Sequence, residues 1–202
     1  MLTVQSRVGV TNLTLSESFQ IIVDKIVELK NTCELMIDLA YSSLLLNSHE
    51  LAEEVQRLED YMDTLHTDFE FLVLAGITKP EESRDFLGLI RLGVVTEKIA
   101  DAAAKIAEVV LRGLKPHPIF KLVIEEAEET VIRVTVSEKS PLVGKTLRES
   151  QIPEKTGMWI LAIKRDEKWI RPKPDLVINA GDILIASGYA EGSEDLLKIA
   201  ST

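Results

Sequence analysis

The 202-residue chain is 46% apolar and 28% charged with a net charge of -10, a balance that suits a folded globular protein and excludes a disordered one. Its longest apolar runs, Phe71–Ile77 and Trp159–Ile163, fall well short of the roughly 20 residues a membrane-spanning helix needs, and its one cysteine, Cys33, leaves no internal disulfide or thiolate metal cluster. Residues 1–115 carry 11 Lys and Arg against 19 Asp and Glu, and residues 116–202 carry 12 against 14, so the acidic first half is repelled by phosphate backbones and nucleic acid is not expected as a partner.

The opening MLTVQSRVGV lacks the basic start, apolar segment and small-residue cleavage site of a secretory signal, so the expected location is the cytoplasm. Three helix starts follow, each a capping residue three places before an acid that can reach back: Thr14 with Glu17, Asn47 with Glu50, and Thr78 with Glu81. Pro80 sits just inside the third, where its missing N–H costs little. Apolar stripes at spacings of three and four run behind these starts. The first is Leu15, Phe19, Ile22, Ile26, Leu29, Cys33, Met36 and Ala40; the second Leu51, Val55, Leu58, Met62, Leu65, Phe69 and Leu72; the third Val95, Ile99, Ala102, Ile106 and Val109. They predict core-facing helices, each on the order of 40–50 Å long. Short breaks near Leu46–Ser48 and Gly76–Lys79 fold them back into a bundle rather than an extended coiled coil, and Gly113 before Pro116 and Pro118 ends the third.

After Pro118 a short helix is expected to about Glu128, and then the period changes. Ile132, Val134 and Val136 alternate with Val131, Arg133 and Thr135, as in a half-buried strand. Ser140-Pro141 introduces a helical or turn segment, Leu142–Glu149. A hairpin is predicted from Met158–Lys164, a turn at Arg165–Lys168, and Trp169–Arg171. Asp175–Ile178 and Ile183–Ser187 are expected to pair around the Asn179–Asp182 turn, and a helix, Glu194–Ala200, closes the chain. The predicted fold is an N-terminal antiparallel three-helix bundle over 1–115 followed by a small α+β domain over 118–202. The apolar faces of Val131–Val136 and Met158–Ile163 exceed what so small a domain can cover, so a symmetric homodimer is expected to bury them.

Three segments carry a resemblance in the second half: SPLVGKTLRES after an alternating strand, then GMWILAIKRD, then AGDILIASG before the final helix. In that order, over about 125–201, they resemble a TrkA-C domain, also called the RCK C-terminal domain. Over about 14–115, ELMIDLAYSSLLLNSHELAEEVQRLED and TEKIADAAAKIAEVV are similar to one three-helix half of a PhoU protein. The resemblance implies a TrkA-C-like α/β sandwich behind the bundle, and a dimeric regulator of potassium or other cation transport. It also implies a membrane channel or transporter subunit as partner and a small-molecule ligand bound between subunits. No G-x-G-x-x-G follows a strand, so a dinucleotide redox cofactor is not expected. TrkA-C domains that bind cyclic di-AMP carry an Ile-Arg pair and a later Gly-x-Asn-Ile. Here Ile152-Pro153 and Gly157-Met158-Trp159-Ile160 keep the isoleucines and the glycine, but Pro153 and Trp159 replace the arginine and asparagine. The phosphate-pairing and base-reading groups are missing, so cyclic di-AMP is not carried over. Ile152, Ile160 and the region near Pro172 remain the expected lining of a pocket for another ligand.

Glu34 and Asp38 share one face of the first helix, and Glu97 and Asp101 one face of the third. If those faces converge, four carboxylates invite a divalent metal or iron ion, which accepts oxygen ligands, and PhoU-like proteins use these motif positions for metal. Lys30, Lys98 and Lys105 nearby suit instead a solvated acidic face, and Glu59 with Asp63 repeats the spacing on helix two. His49, His66 and His117 are scattered without a paired spacing, and Cys33 lies in a core stripe. Trp159 and Trp169, on neighbouring strands, are expected in packing or a dimer interface. No nucleophile stands in register with a base, so an enzyme is not expected. Two readings remain: a cation-transport regulator sensing a ligand through its C-terminal domain, or a metal-binding phosphate-signalling protein whose bundle is the active part.

Overall fold

The computed structural model describes residues 15–77, 83–113 and 129–202. Helices α1 (Leu15–Leu45), α2 (His49–Gly76) and α3 (Ser83–Leu111) pack on one another as the predicted bundle. The cap of α2 is Ser48, whose hydroxyl accepts from the Leu51 N–H at 3.4 Å. Asn47, the expected cap, sits one place earlier at φ 45 and makes the left-handed turn between the helices. The caps expected at Thr14 and Thr78, Pro80, and the helix over 118–128 lie outside the described residues. Gly113, at φ +62, ends α3 as expected and donates its N–H to Val110 O at 3.0 Å.

The first two stripes face the core: Leu29, Met36, Leu51, Val55 and Phe69 are fully buried, whereas Phe19 is half-exposed. The third stripe is inverted except at Ile106, which packs partly against the core. Val95 is 53% exposed and Ile99 45%, while the buried line of α3 is Gly93, Ala100, Ala103, Ala104, Ala107 and Val110. Small residues let α3 approach closely: a Cβ on Gly93 would come within 2.8 Å of the Phe69 ring. A face of alanines carries little hydrophobic signal, so periodicity alone favours the larger residues opposite.

The second half is a four-stranded antiparallel sheet of order β1-β4-β2-β3, with β1 at Glu129–Thr135, β2 at Met158–Arg165, β3 at Lys168–Ile170 and β4 at Ile183–Tyr189. Two short helices precede β2: α4 (Leu147–Ser150), held by a Thr146–Glu149 capping box, and α5 (Ile152–Thr156). Helix α6 (Ala190–Ser201) closes the chain. Asp175–Ile178 does not pair with β4 as expected; Val177 makes one isolated bridge, to Thr146. Pro172 and Pro174 lead into this segment, and a proline cannot donate to a ladder.

One face of the sheet carries Val134, Met158, Ile163 and Leu184 against α6, in a core that also holds Leu196 and Ala200. The other face presents Ala162, Trp169 and Ile185, which are buried together with the bundle core. A bulge in β2 between Ile160 and Ala162 makes this possible. It sends the consecutive Leu161 and Ala162 to the bundle, while Ile160 and Ile163 stay on the α6 side. Leu161 and Ala162, within one of the strands expected to need a second subunit, thus pack on the bundle of their own chain, while Trp159 of the same strand stays exposed.

Candidate functional site

The sheet docks in the groove between α1 and α2, and charged residues fasten it there. Glu50, in the first turn of α2, accepts from Arg133 of β1 at 2.7 Å and from Lys164 of β2 at 2.9 Å. Burial alone would raise the Glu50 carboxyl, but the hydrogen bonds of Lys164 and Arg133 outweigh it and hold it below its usual range. Farther along, Arg171, just after β3, pairs with Glu34 of α1, which also takes Lys30 at 2.7 Å. Tyr61 of α2 donates to Glu28 of α1 beside this contact, which pushes the phenol up to about 12.

Two cavities lie side by side along this seam. One, of about 380 Å3, brings together Ile152 of α5, Ile160 of β2 and Pro172, with Arg148, Trp159 and Lys173 at its edges. These include the three residues whose sequence positions suggested a ligand pocket. The second, also about 380 Å3, opens between bundle and sheet and is lined by Glu34, Ile37, Asp38, Leu161 and Arg171. Ile160 and Pro172 belong to both, so they form a shared wall. Asp38 sits in the second cavity with its carboxyl pushed up to about 6, first by burial, then by the Glu34 charge, with Arg171 opposing.

The four acids named for a metal are divided between two places. Glu34 and Asp38 look onto the sheet through Arg171. Glu97 and Asp101 instead gather with Asp63 of α2, one carboxylate oxygen from each lying within 4.8 Å of the others. Glu59, raised by burial and then by Asp63, Asp60, Asp101 and Glu97, lies close by. Three convergent carboxylates on two rigid helices are a donor set that fits a hard divalent cation completed by water. Spacing alone gives Asp63 no such role; only the packing of α2 on α3 brings it in.

His49 and His66 each lie beside an acid one turn on, Glu53 and Glu70, and His117 is outside the described residues. Cys33 is buried, its thiol raised by burial and donating to Thr96 O at 3.5 Å, as a core residue would be. Trp169 is buried against the bundle, but Trp159 is 65% exposed at the rim of the first cavity. Arg148 and Lys173 are the site residues that sequence reasoning misses; Trp159 stands at the motif position of the asparagine it replaces, and the structure puts it at the cavity rather than only in packing.

Two of the motifs meet in a buried clamp. Arg165, from GMWILAIKRD, donates twice to Asp182, from AGDILIASG, at 2.8 and 2.6 Å, and Asp182 also accepts the Asn179 N–H at 2.9 Å. Residues 131–201 match the TrkA-C domain family and residues 26–110 the PhoU domain family. The chain joins a PhoU domain to a TrkA-C domain. Among its relatives, Potassium channel protein 1 of Methanocaldococcus jannaschii is 47% identical over 79 residues, 39% of this chain and 23% of that protein. The Trk system potassium uptake protein TrkA homolog 1 of Methanosarcina mazei is 26% identical over 114 residues, 56% of this chain and 25% of that protein. The matched part spans about a quarter of the length of these relatives. Among solved structures, the TrkA-C domain is similar to the RCK_C domain dimer of S. agalactiae BusR in complex with c-di-AMP. That match is 30% identical, covers 34% of this chain and 92% of that one, and has a TM-score of 0.33.

Proposed function

We propose that this chain is a cytoplasmic, non-enzymatic regulator of a potassium or other cation transport system, peripheral to a membrane channel or transporter subunit. It senses a small ligand in the TrkA-C domain and passes the signal to the PhoU domain. The observation that carries this reading is the wall of Ile160 and Pro172 shared by the two cavities. A ligand pressing on that wall displaces Pro172, and the next residue back, Arg171, is the one paired with Glu34 on α1. The ligand cavity has an apolar floor, an exposed indole and two cations, Arg148 and Lys173, against one acid, Glu154. Those groups suit a flat aromatic ring carrying an anion, a nucleotide being the natural class. The kinship with potassium channel and Trk uptake proteins supplies the transport context.

Of the two tryptophans, Trp159 alone lies at the cavity. In a Trp169→Phe background its fluorescence reports the site directly. Titration with mono- and dinucleotides should quench it with at least one of them, and Arg148→Ala should weaken that ligand about tenfold, the cost of one charge-assisted contact. No response to any nucleotide at millimolar concentration would sink the assignment.

The carboxylate cluster favours a second reading, in which the PhoU domain holds a divalent cation and is the active part. Asp63, Glu97 and Asp101 would hold the ion, which would supply a fixed positive charge bridging α2 and α3. Manganese titration followed by electron paramagnetic resonance should show binding that Asp63→Asn and Asp101→Asn each weaken about tenfold and Asp38→Asn leaves unchanged. Equal signals in all four proteins would return these acids to a solvated face.

A further inference from the structure

A third cavity, of about 580 Å3, opens where β3 and the chain after it meet the bundle, and it is larger than either of the two along the seam. Its bundle side follows helical spacing: Glu28, Asn31, Thr32 and Leu35 share one face of α1, and Leu58 and Tyr61 one face of α2. Its sheet side is Trp169 and Ile170 of β3, then Arg171, Lys173 and Leu176. The segment after β3 is tied down by the Arg148 N–H, which donates to Pro174 O at 2.9 Å, and by the Leu176 N–H, which donates to Lys173 O at 2.9 Å. Along it Arg171 and Lys173 line this cavity while Pro172 and Pro174 line the first, the alternation of an extended chain.

The groups around the cavity divide by charge. Arg171 pairs with Glu34, but a guanidinium carries five N–H donors and keeps some for a second acceptor. Lys173 is exposed and makes no ion pair among the described residues. At the far end Tyr61 donates to Glu28; that bond, helped by Lys25, outweighs burial and holds the Glu28 carboxyl below its usual range, so it stays ionised. Between the two ends the floor is apolar, made by Leu35, Leu58, Trp169 and Leu176. Asn31 and Thr32 stand half-buried above it, and their side chains hydrogen-bond to no described residue.

We infer that this cavity between the two domains is a second ligand site, which takes a small organic acid bearing one carboxylate on an apolar body. The carboxylate lies between Arg171 and Lys173, where charge-assisted bonds hold it. The body covers Leu35, Leu58 and the Trp169 ring, and a concave apolar floor with a few convergent polar groups is the usual make-up of a small-molecule site. Asn31 and Thr32 are placed to read a polar substituent on that body, because their hydrogen-bonding capacity is unspent within the described chain. Glu28 at the opposite end repels a second anionic group, so the site selects a monoanion and differs in class from the nucleotide suited to the first cavity. Its walls come from α1, α2 and the chain after β3, so the ligand binds only while sheet and bundle are docked. Such binding needs neither the nucleotide nor the metal.

Octanoate, with octanol and octylammonium as probes of the same chain length, tests this on the full chain. Calorimetric titration should show octanoate binding with a Kd of about 1 mM, the range open to a ligand of about ten heavy atoms, and the neutral and cationic probes at least about tenfold weaker. Lys173→Glu, at an exposed position that leaves the core untouched, should weaken octanoate about tenfold with unchanged helical circular dichroism. In a Trp159→Phe background Trp169 is the remaining indole, and its emission should shift to the blue as octanoate displaces water from the cavity. Equal binding of all three probes would reduce the cavity to an indifferent apolar surface and overturn the proposal. No octanoate binding at tens of millimolar overturns it outright. Undiminished binding to Lys173→Glu, or binding that leaves Trp169 emission unmoved, overturns it by placing the acid elsewhere.

Discussion

Asp38 shows what it costs to place a carboxylate at the joint between two domains. Its carboxyl rises to about 6, against about 3.9 for an ordinary aspartate, because burial and then Glu34 disfavour its charge more than Arg171 supports it. The folded chain therefore holds this proton more tightly than the unfolded one. Stability from this group falls as pH rises from about 4 through about 6, and the full penalty stands above that. Asp38→Asn should raise the urea-derived stability at pH 7.5 by about 1 kcal/mol, allowing for solvent screening, and should change nothing at pH 4. Identical gains at the two pH values would mean that the side chain is as hydrated as in the open chain. Asp182 is the opposite case, 2% exposed and fully used by Arg165 and the Asn179 N–H. Asp182→Ala leaves a guanidinium and an amide without their acceptor, and should cost about 3 kcal/mol in a denaturant melt.

At the scale of elements, close approach decides more than hydrophobic pattern. Gly192, in the first turn of α6, faces the Thr156 carbonyl at the end of α5, and a Cβ there would drive into that oxygen. Gly192→Ala should therefore lower stability by about 2–3 kcal/mol, read as a drop in the melting midpoint, although alanine is the better helix former. An unchanged midpoint would show that α6 can slide. The same logic governs α3, where Gly93, Ala100, Ala103 and Ala107 sit inward while Val95, Ile99 and Val109 sit outward. Size, rather than apolarity, selects the face that meets a close neighbour.

For the whole molecule, the continuity of the core across the two domains is the main consequence. Ala162, Trp169 and Ile185 of the sheet are buried in the same cluster as Leu29, Met36 and Phe69 of the bundle. The chain should unfold in one calorimetric transition, with calorimetric and van't Hoff enthalpies equal. Trp169→Ala should cost about 3–4 kcal/mol and separate that transition into two. Two transitions in the parent would show that the docking contributes little. Residues 118–202 expressed alone would bare this apolar face, and should self-associate rather than behave as the free-standing unit that their own strand pattern suggests.

Local signals in the sequence account for the three helices, the turn at Leu46–Ser48, the alternating strand that becomes β1, the closing helix and the kinship carried by SPLVGKTL and AGDILIASG. These depend on capping residues, turn residues and local periodicity, which act over a few positions of the chain. The sequence also placed Ile152, Ile160 and Pro172 together, through the motifs, at what proves to be one cavity. Tertiary structure alone decided which face of α3 is inner, since an alanine face and a valine face of one helix can be told apart only by what packs on each. It decided the β2 bulge, which breaks the alternation and gives the bundle two consecutive side chains. It divided the four acids, giving Glu34 and Asp38 to Arg171 and Glu97 and Asp101 to Asp63. Each of these outcomes joins residues far apart in the chain, and helix periodicity fixes only the direction in which a side chain leaves its own helix, not what stands opposite.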